Sequence, residues 1–210
     1  MNQSNINPLV SVIIATYNRA YILSNAIDSV LSQSYKNIEI IIIDDGSTDN
    51  TFQIVNNYFL KNSNIKYLKQ SNQKLWAARN IGLRISEGKY VTFLDSDDEY
   101  KRDHISLRVD YMNKNPSVDL IYGGLEINGD PYVPDKFDKN KMIHIDNCIV
   151  GGTFFGKREI FLKLDGFKNI TYSEDSEFFE RASKTFKVEK VEFKTYIYNR
   201  NLNDTITKLS

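Results

Sequence analysis

Residues 90–94, Tyr-Val-Thr-Phe-Leu, form an apolar run that stops at three carboxylates, Asp95, Asp97 and Asp98. A run of strand length followed by turn formers reads as a buried strand, so the acids stand where that strand leaves its sheet. Two earlier runs end in the same way. Residues 10–15 stop at Thr16-Tyr17-Asn18-Arg19, and residues 38–43, broken only by Glu39, stop at Asp44-Asp45-Gly46-Ser47. Between them lie helical stripes, Ile22, Leu23, Ala26, Ile27, Val30 and Leu31 in the first case, Phe52, Val55, Tyr58 and Phe59 in the second. Strands spaced by such helices join through right-handed crossovers into a mainly parallel sheet, and open sheets of that kind bind ligands beyond the carboxyl ends of their strands.

The alternation continues with a strand at 65–68 and a helix at 75–85 that Gly88 is placed to cap. A helix at 105–112 stopped by Asn115-Pro116 and a strand at 120–122 follow. After Gly123-Gly124 the texture changes. Residues 125–147 carry Asn128-Gly129, two prolines and many charges, the signature of a hairpin or mobile loop. Order returns with a strand at 153–155, helices at 158–162 and from Asp175, and closing strands at 188–193 and 195–198. The expected fold class is α/β, parallel first and mixed later.

Composition excludes several functions. Lys plus Arg and Asp plus Glu both count 27, so no global field favours nucleic acid or an anionic membrane, and any affinity for phosphate is local. Cys148 is the single cysteine, which rules out an internal disulfide and fits a reducing cytoplasm. No apolar stretch approaches the ~20 residues that cross a bilayer. The polar N-terminus is not that of a signal peptide, so a soluble cytoplasmic protein is expected.

Four constellations carry chemistry. Asp95 and Asp97 alternate, so in an extended segment both face one side. Two hard oxygens there suit Mg²⁺ or Mn²⁺, which keep waters and take further ligands from phosphates; an isolated Asp-x-Asp is otherwise a solvated acidic turn. Thr16, Tyr17 and Arg19 offer an aromatic face and polar groups to a base and phosphate, or form a capped turn with a surface arginine. Asp45 can accept from a base N–H or a ribose hydroxyl while Gly46 lets the backbone approach closely; capping of the next helix is the plainer use. A receiver domain also pairs acids, but there the pair follows the first strand. Glu174-Asp175 opens a helix bearing Phe178 and Phe179, where an acid is either a general base with a raised pKa or a partner of the helix dipole.

In their order and spacing, residues 10–19, 44–49, Ala77-Ala78-Arg79-Asn80 and 93–98 resemble the blocks of glycosyltransferase family 2; Glu174-Asp175 and residues 198–207 are similar to its later elements. The resemblance covers about residues 9–205. It implies one GT-A domain over 1–210, with a nucleotide-sugar half at 9–124 and an acceptor-side half at 125–210. It also implies inverting transfer from a nucleotide-sugar, UDP being the expected nucleotide. By position, Thr16, Tyr17 and Arg19 line the nucleotide pocket, Asp45 bonds the base and Arg79 approaches the diphosphate. Asp95 contacts ribose or the outer metal shell, Asp97 ligates Mn²⁺ or Mg²⁺, and Asp175 is the catalytic base. The implied acceptor is a glycan, glycolipid or protein of the cell envelope, met from the inner face of the membrane.

The chain departs from the family pattern in three places. Lys74 stands where many members have glycine, and it either adds a phosphate contact or is merely solvated. Asn201 or a neighbour replaces a late histidine, since His104 and His144 read as surface or helix-end residues. The Gln-x-x-Arg-Trp motif of processive synthases is absent, which favours transfer of a single sugar. Cys148 reads as core. Two competing functions share the sheet. A sugar nucleotidyltransferase is disfavoured because no glycine-rich loop follows the first strand, and a non-catalytic nucleotide-sugar-binding module would lack turnover.

Overall fold

The computed structural model describes residues 7–135, 137–138, 140–170 and 173–201. The first half alternates as the apolar pattern requires: β1 (Val10–Thr16), α1 (Leu23–Leu31), β2 (Ile38–Asp44), α2 (Thr51–Phe59), β3 (Ile65–Lys69), α3 (Lys74–Ile85) and β4 (Tyr90–Asp95). A two-residue strand β5 (Glu99–Tyr100), α4 (His104–Lys114) and β6 (Leu120–Tyr122) follow. The second half holds β7 (Leu125–Asn128), β8 (Tyr132–Pro134), β9 (Met142–His144), β10 (Phe155–Lys157), α5 (Arg158–Lys163), α6 (Glu174–Thr185), β11 (Val188–Lys190) and β12 (Tyr196–Asn199).

Seven strands make one sheet in the order β11-β6-β10-β4-β1-β2-β3. β1 runs parallel to β2 and β4, and β2 parallel to β3, while β10 enters antiparallel between β4 and β6. Successive side chains face opposite sides of a strand. Val12, Ile14, Ile40 and Ile42 therefore pack on Leu23, Ile27, Val55, Ile105 and Val109 of α1, α2 and α4. Ile13, Ile41, Ile43 and Phe93 pack on Ala78, Leu83, Phe161 and Phe178 of α3, α5 and α6. Every residue of β2 is buried, which is why its sequence runs apolar rather than alternating. The register sets Ala15 beside both Ile43 and Asp95, so the polar blocks after β1, β2 and β4 meet along one edge.

Several expectations are corrected. Residues 125–147 hold the expected hairpin as β8–β9, but they also contain β7, which pairs with β12 rather than with its neighbour in sequence. Residues 151–153 form a 3-10 turn and the strand begins only at Phe155. Ser86, not Gly88, closes α3. Gly88 is small because its backbone lies against Ser11, and its N–H donates to Ser11 Oγ at 2.9 Å. His104 starts α4 but is fully buried, its ring stacked 3.7 Å from that of Tyr100. Among the described residues no helix is long and apolar enough to cross a membrane.

Candidate active site

The loops after β1 and β2 are stitched together. The backbone of Asn18, left-handed at φ 51°, donates to Ser47 Oγ at 2.9 Å, and its side-chain Oδ1 accepts from the Thr48 amide at 2.8 Å. Thr16 is buried at the same edge, and its hydroxyl finds no partner among the described residues. Of the two acids after β2, Asp44 is structural. It accepts from the Ser47 amide at 2.7 Å and from the Tyr67 hydroxyl at 2.6 Å. Asp45 holds the head of α3, accepting from the amides of Gln73 and Lys74, both at 2.8 Å, and from Gln70 Nε2 at 2.6 Å. The chain reaches that clamp only because Gly46, at φ 88°, turns left-handed with Asn72 N 2.9 Å from where a Cβ would stand.

β4 ends at Asp95, so the three acids do not form one extended segment. Ser96 and Asp97 make a turn closed by the Asp98 amide donating to the Asp95 carbonyl at 3.0 Å. Shared facing by strand alternation therefore does not apply to Asp95 and Asp97; the turn delivers both to the cleft. Asp98 goes the other way, into the protein, at 1% exposure. Its carboxylate accepts from the Tyr196 hydroxyl at 2.6 Å and from the Asn199 amide at 2.8 Å. Burial, with Asp97 and Asp95 close by, pushes its pKa well up, and the two donors only partly oppose this. Asn199 Nδ2 donates to the Asp97 carbonyl at 3.0 Å. β12 thus fixes the turn that carries Asp97.

Arg79 crosses from the sheet edge to α6. It is 3% exposed, with Nη2 2.9 Å from Asp95 Oδ1 and Nη1 3.1 Å from Glu174 Oε1. Its guanidinium carbon lies 5.6 Å from the Phe93 ring centre and 5.3 Å from that of Phe167. Burial works against its charge, but Asp95, Glu174 and Asp175 outweigh that and raise its pKa. The next residue, Asn80, accepts from the Phe167 amide at 2.8 Å and donates to the Phe167 carbonyl at 2.7 Å, pinning the segment that leads to α6.

Asp175 stands half-buried in the first turn of α6, behind Ser173 at φ 68°. Its Oδ2 accepts from the Gly151 amide at 3.0 Å and its Oδ1 from the Ser176 amide at 2.7 Å. A side chain at Gly151 would put its Cβ 2.8 Å from Arg79 Nη1 and 2.9 Å from Asp175 Cβ, so only glycine lets the backbone come this near. Burial and then Glu174 raise the Asp175 pKa to about 6, while Arg79 and the two amides pull it back. A carboxylate so placed is ionised at neutrality yet basic enough to take a proton.

Thr16, Tyr17, Arg19, Asp45, Arg79, Asp95, Asp97 and Asp175 all line one cleft of about 680 Å³. Among the described residues no three His, Cys, Asp or Glu side chains gather as a complete metal cage. Asp95 and Asp97 nevertheless give hard oxygens beside open space, the donor set of a divalent ion that completes its shell with water and phosphate. Three of the four non-glycine residues with positive φ among the described residues, Asn18, Lys74 and Ser173, lie on the segments that form this cleft.

The sequence profile of Glycosyl transferase family 2 matches residues 11–185. The chain belongs to this family. Over 92% of its length it is 33% identical to an uncharacterized glycosyltransferase of Rickettsia prowazekii, covering 63% of that protein. Over 78% it is 37% identical to a UDP-Glc:alpha-D-GlcNAc-diphosphoundecaprenol beta-1,3-glucosyltransferase of Escherichia coli, covering 64% of it. The fold matches S. aureus TarS residues 1–349 in complex with UDP-GlcNAc, with TM-score 0.77 at 22% identity over 96% of this chain and 61% of that one. It also matches a mannosyltransferase from Pyrobaculum calidifontis in complex with GDP-Man and Mn²⁺, TM-score 0.75 at 20% identity over 97% and 59%. The fold is GT-A, and the chain spans less than two thirds of each of these proteins.

In this family 2 chain the structure also brings to the cleft residues that sequence reasoning missed. Val133, Pro134, Ile143 and Ile145 of the β8–β9 hairpin and its flank form an apolar wall, and Tyr198 and Asn199 add the end of β12. Of Asn201 and its neighbours, the expected stand-ins for a late histidine, Asn201 donates to Asn128 Oδ1 at 3.0 Å, while Asn199 donates to the Asp97 carbonyl. Most of residues 198–207 lies outside the described residues. Alternation along β12 was the available signal, since it sets Tyr196 and Tyr198 on one face.

Proposed function

We propose that this protein transfers one hexosyl or N-acetylhexosaminyl residue from a nucleotide-sugar, UDP-linked in the first instance, to an acceptor hydroxyl with inversion. The observation that carries the reading is Asp175, a cleft carboxylate whose pKa is raised to about 6, reached through Arg79 from the Asp95 edge. Residues 9–124 would hold the donor and residues 125–210 the acceptor. Thr16, Tyr17, Arg19 and Asp45 would line the nucleotide, Asp45 through whatever acceptor capacity its three donors leave.

Asp175 would take the acceptor proton as that oxygen bonds to the anomeric carbon. The bond from that carbon to the diphosphate oxygen breaks on the opposite face, and the nucleoside diphosphate leaves with the electron pair. Asp97, with Asp95 beside it, would hold Mn²⁺ or Mg²⁺. When bound, that ion neutralises charge developing on the diphosphate. Arg79 would orient Asp95 and keep positive potential beside the same charge. Support for the donor class comes from relatives that act on UDP-Glc or bind UDP-GlcNAc, and for a divalent ion from the one bound with Mn²⁺. The acceptor would be a glycan, glycolipid or protein of the cell envelope, met at the cytoplasmic face.

The deciding experiment incubates the protein with α-linked nucleotide-sugars and candidate acceptors and assigns the product by NMR. A β-linked product that disappears in Asp175→Asn is expected. An α-linked product would overturn inversion, and nucleotide binding without any turnover would reduce the protein to a binding module.

A further inference from the structure

A nucleoside diphosphate entering this cleft meets an excess of carboxylates, and the cleft's own cations are few: Arg19, Lys74 and Arg79. Arg79 is buried and committed to Asp95 and Glu174, and Arg19 is already engaged by other groups. Lys74 is different. Its side chain is exposed, lines the cleft, and makes no ion pair among the described residues. Its backbone sits at φ 76°, with its amide locked on Asp45 Oδ2 at 2.8 Å. That left-handed conformation is costly for a residue with a Cβ and nearly free for glycine. The clamp from Asp45 therefore forces a geometry best met by glycine, yet the position carries a long, exposed cation at the cleft. Strain kept at such a place calls for a function that offsets it.

We propose that Lys74 is a binding residue for the diphosphate group of the nucleotide-sugar, supplying the mobile positive charge that Arg79 cannot. The assignment rests on the donor site proposed above. It decides between the two sequence-based readings of Lys74 and moves the accessible phosphate contact there from Arg79. Arg79 is left to hold Asp95 and Glu174 in place.

Calorimetry with UDP, dTDP and GDP, each beside its own nucleoside and with Mg²⁺ present, tests the idea on the wild type and on Lys74→Gln, Lys74→Arg and Lys74→Gly. For the nucleotide that binds, Lys74→Gln is expected to weaken the diphosphate about 5- to 20-fold, as for one partly exposed charged hydrogen bond, and to leave the nucleoside unchanged. Lys74→Arg should restore most of the loss. Lys74→Gly should lose diphosphate affinity as Lys74→Gln does while melting at the same or a higher temperature, because the left-handed strain is relieved. Unchanged diphosphate affinity in Lys74→Gln, or equal weakening of diphosphate and nucleoside, overturns the role of Lys74 and leaves the donor site standing. A wild type that binds no nucleotide overturns both.

Discussion

The two walls of the cleft are built on different principles. One is the carboxyl edge of β1, β2 and β4, where parallel strands end in register and the loops after β1 and β2 bond to each other. The other is the first turn of α6, the β8–β9 hairpin and the end of β12, drawn from distant parts of the chain and joined by single side chains. The first wall is an unavoidable consequence of sheet geometry. The second depends on a few buried polar bonds, and so it is where single substitutions should matter most. The fates of Asp98 and Asp175 show the contrast. Burial raises both pKa values, but Tyr196 and Asn199 lock Asp98 inside while Asp175 faces the cleft half-open.

Removing the proposed base on the second wall is expected to have the largest effect. Asp175→Asn should cut kcat by about 10²–10⁴-fold with nucleotide affinity nearly unchanged, read by steady-state kinetics beside calorimetry. The wild-type rate should fall as pH drops through about 6, because the base works only when deprotonated, and this limb should vanish from the residual activity of Asp175→Asn. Stability moves the opposite way. The folded carboxyl holds its proton more tightly than the unfolded one, so Asp175 contributes stability as pH falls below about 6 and opposes it above.

Next comes the bridge between the walls. Arg79→Ala removes a buried cation and leaves half-buried Asp95 and Glu174 as unpaired like charges, and urea denaturation should show a loss of about 3–5 kcal/mol, the scale of two charge-assisted hydrogen bonds. A loss below 1 kcal/mol would mean that the walls do not depend on this bridge.

Smaller effects separate support from chemistry. Tyr196→Phe removes one of the two donors on buried Asp98 and should cost about 1–3 kcal/mol in denaturation, and nucleotide affinity measured with Mg²⁺ present is expected to weaken through the Asp97 turn. Asp45→Ala frees the head of α3 and should cost about 1 kcal/mol, the scale of a lost helix cap. A loss as large as that of Arg79→Ala would erase the distinction between the walls.

Much of the first wall was legible because apolar runs, helical stripes and polar turn residues each express a local rule. β2 ends where Asp44 and Asp45 begin, and the eight residues singled out from sequence do line one cleft. What failed were pairings between distant segments. Nothing local tells β7 to join β12, β10 to insert between β4 and β6, or Asp98 to turn inward towards Tyr196. Lys74 was conspicuous as a departure from a family pattern, but only the backbone angle shows why glycine is the easier residue there.

By itself, then, the sequence determined the parallel αβ layers and the edge at which polar residues emerge, because periodicity and turn chemistry act over a few residues. Tertiary structure decided which emerging carboxylate is locked, which is bridged and which is left basic. That outcome depends on burial and on partners tens of residues away: Arg79 reaching Glu174, Gly151 donating to Asp175, Tyr196 closing on Asp98. The charge state of an acid follows from the sum of those distant contacts, and no local pattern encodes that sum.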